Sequence, residues 1–444
     1  MRSRRPSVLT VAIRRMTGAG RQLFPPLGAR AWRLLGGVLL FEIGTGMTLP
    51  LVIVYLHQQR GISLAASGVA LAAGGAGGLV ATLAAGPAVD RVGAGRIALG
   101  GLTLAGAGTA GYLAVHTAPG AVAASAAQGA GFGATWVAIF PLLIGAVDPS
   151  LRGDVLGASY GVTNLGLGIG SLVAGLVLVA DPGGFAPLFA ADATTYAVFA
   201  VWLIWSGEIR RGRPAGGDAR GRGGYRTVVR NRALLIATGL NLVLVTAGYS
   251  QFMAAFPAWA TGDAGAPRSL VGFAFAANTW TIAVAQLPML TVARSRRRTR
   301  LVAWTGVLFG ACWLVVLAAG ETSTTWLAYA LLLGAPAVFG LGETLLSPSL
   351  PAIVNDLATD ETRGRFVAVY SMGWQIGPMI GPAVAGVALG AGRGAALLIG
   401  MAGACALVAP AAIAYERVLP PAANRANGPA AEGVRTRSRE NALI

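Results

Sequence analysis

The 444-residue chain is 55% hydrophobic and only 11% charged, where a soluble domain carries about 25% charged residues, so a soluble globular fold does not fit. All 34 basic residues are Arg and the formal net charge is +17. They are spread over short segments with few aromatics among them, which argues against nucleic-acid binding and for an anionic membrane surface as their partner.

A basic tail over residues 1–32 precedes the first long apolar stretch. Its own apolar run, Val8 to Ile13, is shorter than the core of about 7–15 residues that a signal peptide needs, so the first span itself is expected to direct insertion. Apolar stretches of about 20 residues, the length that crosses a bilayer as a helix, then recur. We read them as 33–56, 63–86, 96–115, 121–147, 155–179 and 186–206, then 233–260, 269–293, 301–319, 326–354, 365–389 and 394–415. The two tails and the even-numbered gaps hold 31 of the 34 Arg, and the odd-numbered gaps hold three. Arg and Lys accumulate in short cytoplasmic loops, so both termini are expected inside. The spacing therefore predicts an all-α membrane protein with twelve transmembrane helices.

The chain divides into a six-helix bundle (33–206), an Arg- and Gly-rich central loop (207–232), a second bundle (233–415) and a polar tail (416–444). Within the loop, Arg213 to Gly224 is expected to be flexible, and Tyr225 to Arg230 has room for a short helix on the membrane surface. The tail after Pro420 is expected to be disordered. Sliding the second half onto the first by 211 residues pairs Arg152-Gly153 with Arg363-Gly364, Gly166 with Gly377, Gly170 with Gly381, and Val173-Ala174-Gly175 with Val384-Ala385-Gly386. Glycine patterning for close helix packing is the alternative to duplication. It does not account for Arg-Gly opening both segments at the same topological place. Parallel repeats of this kind are typical of alternating-access transporters.

A charged group at mid-bilayer costs about 2.5–3.5 kcal/mol or more, so acids inside spans tend to face a cavity and mark ion or substrate paths. Three stand out: Glu42 in span one, Asp192 in span six and Glu343 in span ten. Each is a candidate carrier of a coupled proton; a hydrogen-bonded structural acid is the alternative reading. Trp136, Asn164, Asn241, Tyr249, Gln251, Asn278, Gln286, Trp374 and Gln375 are candidates for lining a substrate cavity, with interhelical hydrogen bonding as the competing role. Asn164 and Gln375 occupy equivalent positions in the two repeats. Cys312 and Cys405 lie within spans nine and twelve without ligand-like neighbours, so neither a disulfide, a metal nor a cofactor is implied. No catalytic constellation falls within the spans, and the duplicated halves argue against a channel.

The gap after span two reads Gly86-Pro87-Ala88-Val89-Asp90-Arg91-Val92-Gly93-Ala94-Gly95-Arg96. It resembles the first-half loop signature of the major facilitator superfamily of secondary transporters, with Gly95 where a second basic residue is usual. The resemblance extends over essentially the full transmembrane length. It implies two six-helix pseudo-repeats and a cytoplasmic gate built from Gly86, Asp90, Arg91, Gly93 and Arg96. A simple topogenic loop is the alternative for that segment. Ser125-Ala126-Ala127-Gln128-Gly129 is similar to the span-four segment of drug:proton antiporters, with Ser125 at the Arg position. Gly170-Ser171-Leu172-Val173-Ala174-Gly175 keeps part of their span-five motif, and Gly342-Glu343-Thr344-Leu345-Leu346-Ser347-Pro348 looks like a span-ten segment of proton-coupled members. The resemblance therefore implies a monomeric transporter of the plasma membrane, with the proton gradient as its energy source, exporting small amphipathic compounds. An importer of a small metabolite with the same fold is the alternative.

Overall fold

The computed structural model describes residues 26–211, 228, 230–359 and 362–425. In hydrocarbon a backbone must satisfy its own N–H and C=O groups, so each apolar stretch folds as helix. The long helices are α1 (Gly28–Gln59), α2 (Leu64–Val92), α3 (Ala94–Ala114), α4 (Ala118–Ile144), α5 (Arg152–Ala180), α6 (Phe185–Trp205), α7 (Arg232–Thr261), α8 (Arg268–Ser295), α9 (Arg298–Glu321), α10 (Thr325–Leu346), α11 (Arg363–Gly390) and α12 (Gly394–Tyr415). Among the described residues, ten helical stretches are long and apolar enough to cross a membrane. The other two long helices, α8 and α11, have 28 residues each but are interrupted by Asn278, Gln286 and Pro288, and by Gln375, Pro378 and Pro382.

Two helices depart from regular geometry. Pro50 lacks an N–H, and α1 tightens there into a 3₁₀ turn over Leu49–Leu51 before widening into a π turn over Tyr55–Gln59. A second π turn, Val245–Tyr249, interrupts α7 and presents Tyr249.

The connections sort into two ends. At one, Arg30 donates to the backbone of Gly145, after α4, and to Glu208, after α6. At the same end of the second half, Arg298 pairs with Asp356, after α10, at 2.5 Å, and Arg297 bonds Glu416, after α12. This is the arginine-rich end. The bonds described there tie elements of the same half together.

At the arginine-poor end the halves are joined. Gln58 donates to Thr261 Oγ1 at 2.9 Å, and Arg268 donates to Gln58 Oε1 at 2.9 Å and to the Pro182 carbonyl at 3.0 Å. Glycines close the remaining gap. A Cβ at Gly68 of α2 would lie 2.3 Å from the Pro382 carbonyl of α11, and one at Gly272 of α8 would lie 2.5 Å from the Gly175 nitrogen of α5. The apolar core follows the same division. One buried cluster runs through both halves and includes Met47–Leu56, Phe185, Phe252–Trp259 and Leu270, whereas the cluster around Phe41, Leu102, Leu142 and Phe199 belongs to the first half alone. The two halves are thus zipped at the arginine-poor end and diverge toward the other.

The paired glycines do paired work. Gly166 packs on Glu42 of α1 and its counterpart Gly377 packs on Val245 of α7. Gly175 meets α8 and its counterpart Gly386 meets α2. The duplication read from the sequence is therefore a duplication of packing. The first residues after Pro420 correct the expectation of disorder. Glu416 accepts from Thr299 at 2.7 Å, and a turn over Pro421–Asn424 returns to α9, where Asn424 Oδ1 caps the Thr299 nitrogen at 3.0 Å. The rest of the tail, Arg213 to Gly224, and all of Tyr225 to Arg230 except Val228 and Arg230 lie outside the described residues.

Candidate substrate cavity and buried acids

Because the halves diverge, two cavities open between them. The larger, about 640 Å³, lies where α2 and α11 part and is walled by α4 and α7. Its side chains include Tyr112, Ser125, Gln128, Phe132, Trp136, Phe140, Tyr249, Trp374 and Gln375. The second, about 460 Å³, lies where α5 and α8 part and includes Trp32, Tyr160, Asn164, Trp280 and Gln286. Ligand pockets span about 300–1,000 Å³, so each has room for a small molecule. Neither lining contains a charged side chain. Asn164 and Gln375 both face cavities, but not the same one: the repeat places them in the two equivalent clefts.

Of the other candidates, Asn278 binds Glu343 rather than lining either cavity. Asn241 and Gln251 belong to the packing instead: Tyr370 donates to Asn241 Oδ1 at 3.1 Å, and Gln251 donates to the Gly381 carbonyl at 3.0 Å. Both are fully buried between α7 and α11. Ser125 is buried and bonds the Tyr112 hydroxyl at 2.8 Å.

Glu343 is partly buried on α10. Asn278 of α8 donates to its Oε1 at 3.0 Å and also lies 3.2 Å from the Pro336 carbonyl, while the Tyr249 hydroxyl is a further polar neighbour. Tyr249 is itself held edge-on by Phe309 and Phe339 and stands 4.7 Å from Trp374 between ring centroids. One acid therefore contacts α7 and α8 together, and through Tyr249 it reaches the wall of the larger cavity.

The first half buries two acids. Glu42 is 1% exposed against α5, and Asp192 of α6 is fully enclosed. Thr48 donates to Asp192 Oδ2 at 2.5 Å, but Glu42 Oε1 and Asp192 Oδ1 have no hydrogen-bond partner. No described Arg pairs with either; the neighbours are the hydroxyls of Thr45, Thr48 and Tyr196. The Thr45 hydroxyl donates to the Phe41 carbonyl, so Tyr196 donates to Thr45 at 3.0 Å. Gln128, on the wall of the larger cavity, is a polar neighbour of Tyr196.

The loop between α2 and α3 turns at Gly93, whose φ of 96° suits glycine. Asp90 and Arg91 are exposed, and Arg96 reaches only the Val92 carbonyl at 3.4 Å. A Cβ at Gly86 would meet nothing within 4 Å. Sequence reasoning missed the latch of Gln58, Thr261 and Arg268 and the pair Arg30–Glu208. Their partners are more than a hundred residues apart, and the sole cue, for the latch, was that Arg268 is one of only three Arg in the odd-numbered gaps.

Two zipped and diverging six-helix halves around neutral cavities, with acids buried in the helices, define a multi-pass membrane transporter fold. The Major Facilitator Superfamily model matches residues 34–259 and again 238–441, and the chain belongs to that family. It is 24% identical over 356 residues, 80% of this chain and 87% of the relative, to the uncharacterized MFS-type transporter YttB of Bacillus subtilis (strain 168). It is likewise 24% identical over 380 residues, 85% of this chain and 91% of the relative, to YhjO of the same organism, named in the same way. Its fold is similar to a POT family transporter in complex with 5-aminolevulinic acid (TM-score 0.73, 14% identity, 89% of this chain and 99% of that one). It is also similar to the nucleoside transporter NupG (TM-score 0.72, 13% identity, 88% of this chain and 100% of that one). Among the described residues no cluster of three or more His, Cys, Asp or Glu forms a metal site.

Proposed function

We propose that the chain is a proton-coupled exporter of small amphipathic compounds working by alternating access, with its arginine-rich end in the cytoplasm. The positive-inside rule supports that orientation, and the conformation described here is then the inward-facing one. The observation that carries the reading is the larger cavity: aromatic and aliphatic walls without an Arg and a few neutral polar groups, in a chain that buries Glu343 beside Tyr249 of that wall and Glu42 and Asp192 in the first half. Such a site suits neutral or cationic apolar compounds and gives no purchase to polyanions. Glu343 is suited to couple proton and substrate, because Tyr249 joins it to the wall that a substrate would touch.

Everted membrane vesicles with an imposed pH gradient, screened over lipophilic cations and neutral amphiphiles, test this. Gradient-driven uptake is expected in the parent and is expected to be abolished in Glu343→Gln and Glu42→Gln, with substrate binding retained. Unchanged gradient dependence in both single variants and in the double variant would contradict proton coupling through these acids.

A further inference from the structure

The second cavity lies where α5 and α8 part. Leu165 and Trp280, both in its wall, are 42% and 47% exposed, and Val284 beside it is 75% exposed, so its rim offers apolar surface. Its floor is made by glycines. Gly157 and Gly161 of α5 have nothing within 4 Å of a Cβ position, so the slot is vacant space rather than a packed seam. It ends where Gly168 meets Thr279, at the start of the zipped region.

Toward the arginine-rich end the slot meets positive charge. Arg152 opens α5 five residues before Gly157, about 8 Å along the axis, and Arg296 follows the end of α8, about 14 Å beyond Gln286. Both are exposed, and neither forms an ion pair among the described residues. A mostly apolar slot with exposed Leu165, Trp280 and Val284 at its rim, and two unpaired guanidinium groups toward the arginine-rich end, matches one chemistry: an acyl chain below and a phosphate above.

We propose that the α5/α8 slot binds one acyl chain of an anionic phospholipid, its phosphate held at Arg152 and Arg296. The site is independent of the substrate reading of the larger cavity. A chain seated there wedges α5 from α8, so the lipid favours the conformation open at the arginine-rich end, the state in which the slot exists.

The test is contact quenching of Trp280. The full chain is reconstituted into phosphatidylcholine vesicles with a rising share of brominated-chain phosphatidylglycerol or, in parallel, brominated-chain phosphatidylcholine. The difference between the parent and Trp280→Phe isolates the Trp280 signal. Phosphatidylglycerol is expected to quench it at a lower mole share than phosphatidylcholine. That excess should be lost in Gly161→Leu and, as a second filling variant, in Gly157→Leu. Both place a side chain in open space on a helix and are expected to fold. Arg152→Gln with Arg296→Gln should move the phosphatidylglycerol curve onto the phosphatidylcholine one. Equal quenching by the two lipids, or an excess that survives both filling variants, would overturn the proposal.

Discussion

Gly95 stands where the family's loop signature usually carries a second basic residue, and its surroundings give the reason. A Cβ there would lie 2.5 Å from the Glu208 carbonyl and 2.7 Å from the Ile209 Cα, so the short turn after α6 docks only against glycine. Glu416 plays a comparable part in the second half. Partial burial works against its charged form, but the Thr299 hydroxyl and the Arg297 and Arg300 guanidinium groups prevail and hold its carboxyl below the usual range. A lowered acid contributes stability that is full above its unfolded value and fades as pH falls through the folded one. Glu416→Gln is therefore expected to cost about 1–2 kcal/mol at neutral pH and to flatten the acid limb of a detergent-solubilised stability profile. Asp90 offers the opposite case. It sits in the last turn of α2, the helix end whose dipole disfavours an anion, and is exposed there. Closure of this end would bring it toward the N-terminus of α11, worth about 0.3–1 kcal/mol. Asp90→Asn should thus raise thiol labelling of cysteines at the arginine-rich end of α2 and α11, after Cys312 and Cys405 are replaced, and slow turnover. Equal labelling with normal transport would reduce Asp90 to a loop residue.

At the scale of helices, the glycine pattern was legible before the structure, and its use was not. The repeat identified Gly170, Gly175, Gly381 and Gly386 as equivalent, but only coordinates show that Gly175 faces α8 while Gly386 faces α2. Helices α5 and α8 close by the same small-residue contact that α11 and α2 use, as expected where lipid offers no hydrophobic drive for association. Asn241 and Gln251 show the limit of the sequence. A polar side chain inside a span announces that it needs a partner; whether the partner is a carbonyl on α11 or a substrate depends on rotation about the α7 axis, which the π turn at Val245–Tyr249 alters. The contact of Gly68 with Pro382 can be tested directly. Gly68→Leu puts a side chain into the α11 backbone, so it should splay the arginine-poor end. Cysteines placed there should then label faster than in the parent.

For the molecule as a whole, the alternation of Arg was the most informative feature of the chain. It ordered the loops into two sets, and the hydrogen bonds respect that division: Gln58, Thr261, Pro182 and Arg268 meet at one end, and Arg30, Gly145 and Glu208 at the other. Conformation left no such trace, because both end states of a rocking transporter must share one sequence and lie within a few kcal/mol of each other. The acids were legible for their cost in hydrocarbon, but the separation of Glu343 from the Glu42 and Asp192 region, one site in each half, was not.

Alternating access is the central claim, and distances between spin labels at both ends test it most directly. In a chain lacking Cys312 and Cys405, one label pair at Gly153 and Gly364 reads the arginine-rich end, and another at His116 and Ser323 reads the arginine-poor end. Across a pH range that titrates the buried acids, the account predicts opposite movements, the first distance falling as the second rises. Two distances that stay fixed or change together, in a preparation that transports, would contradict it.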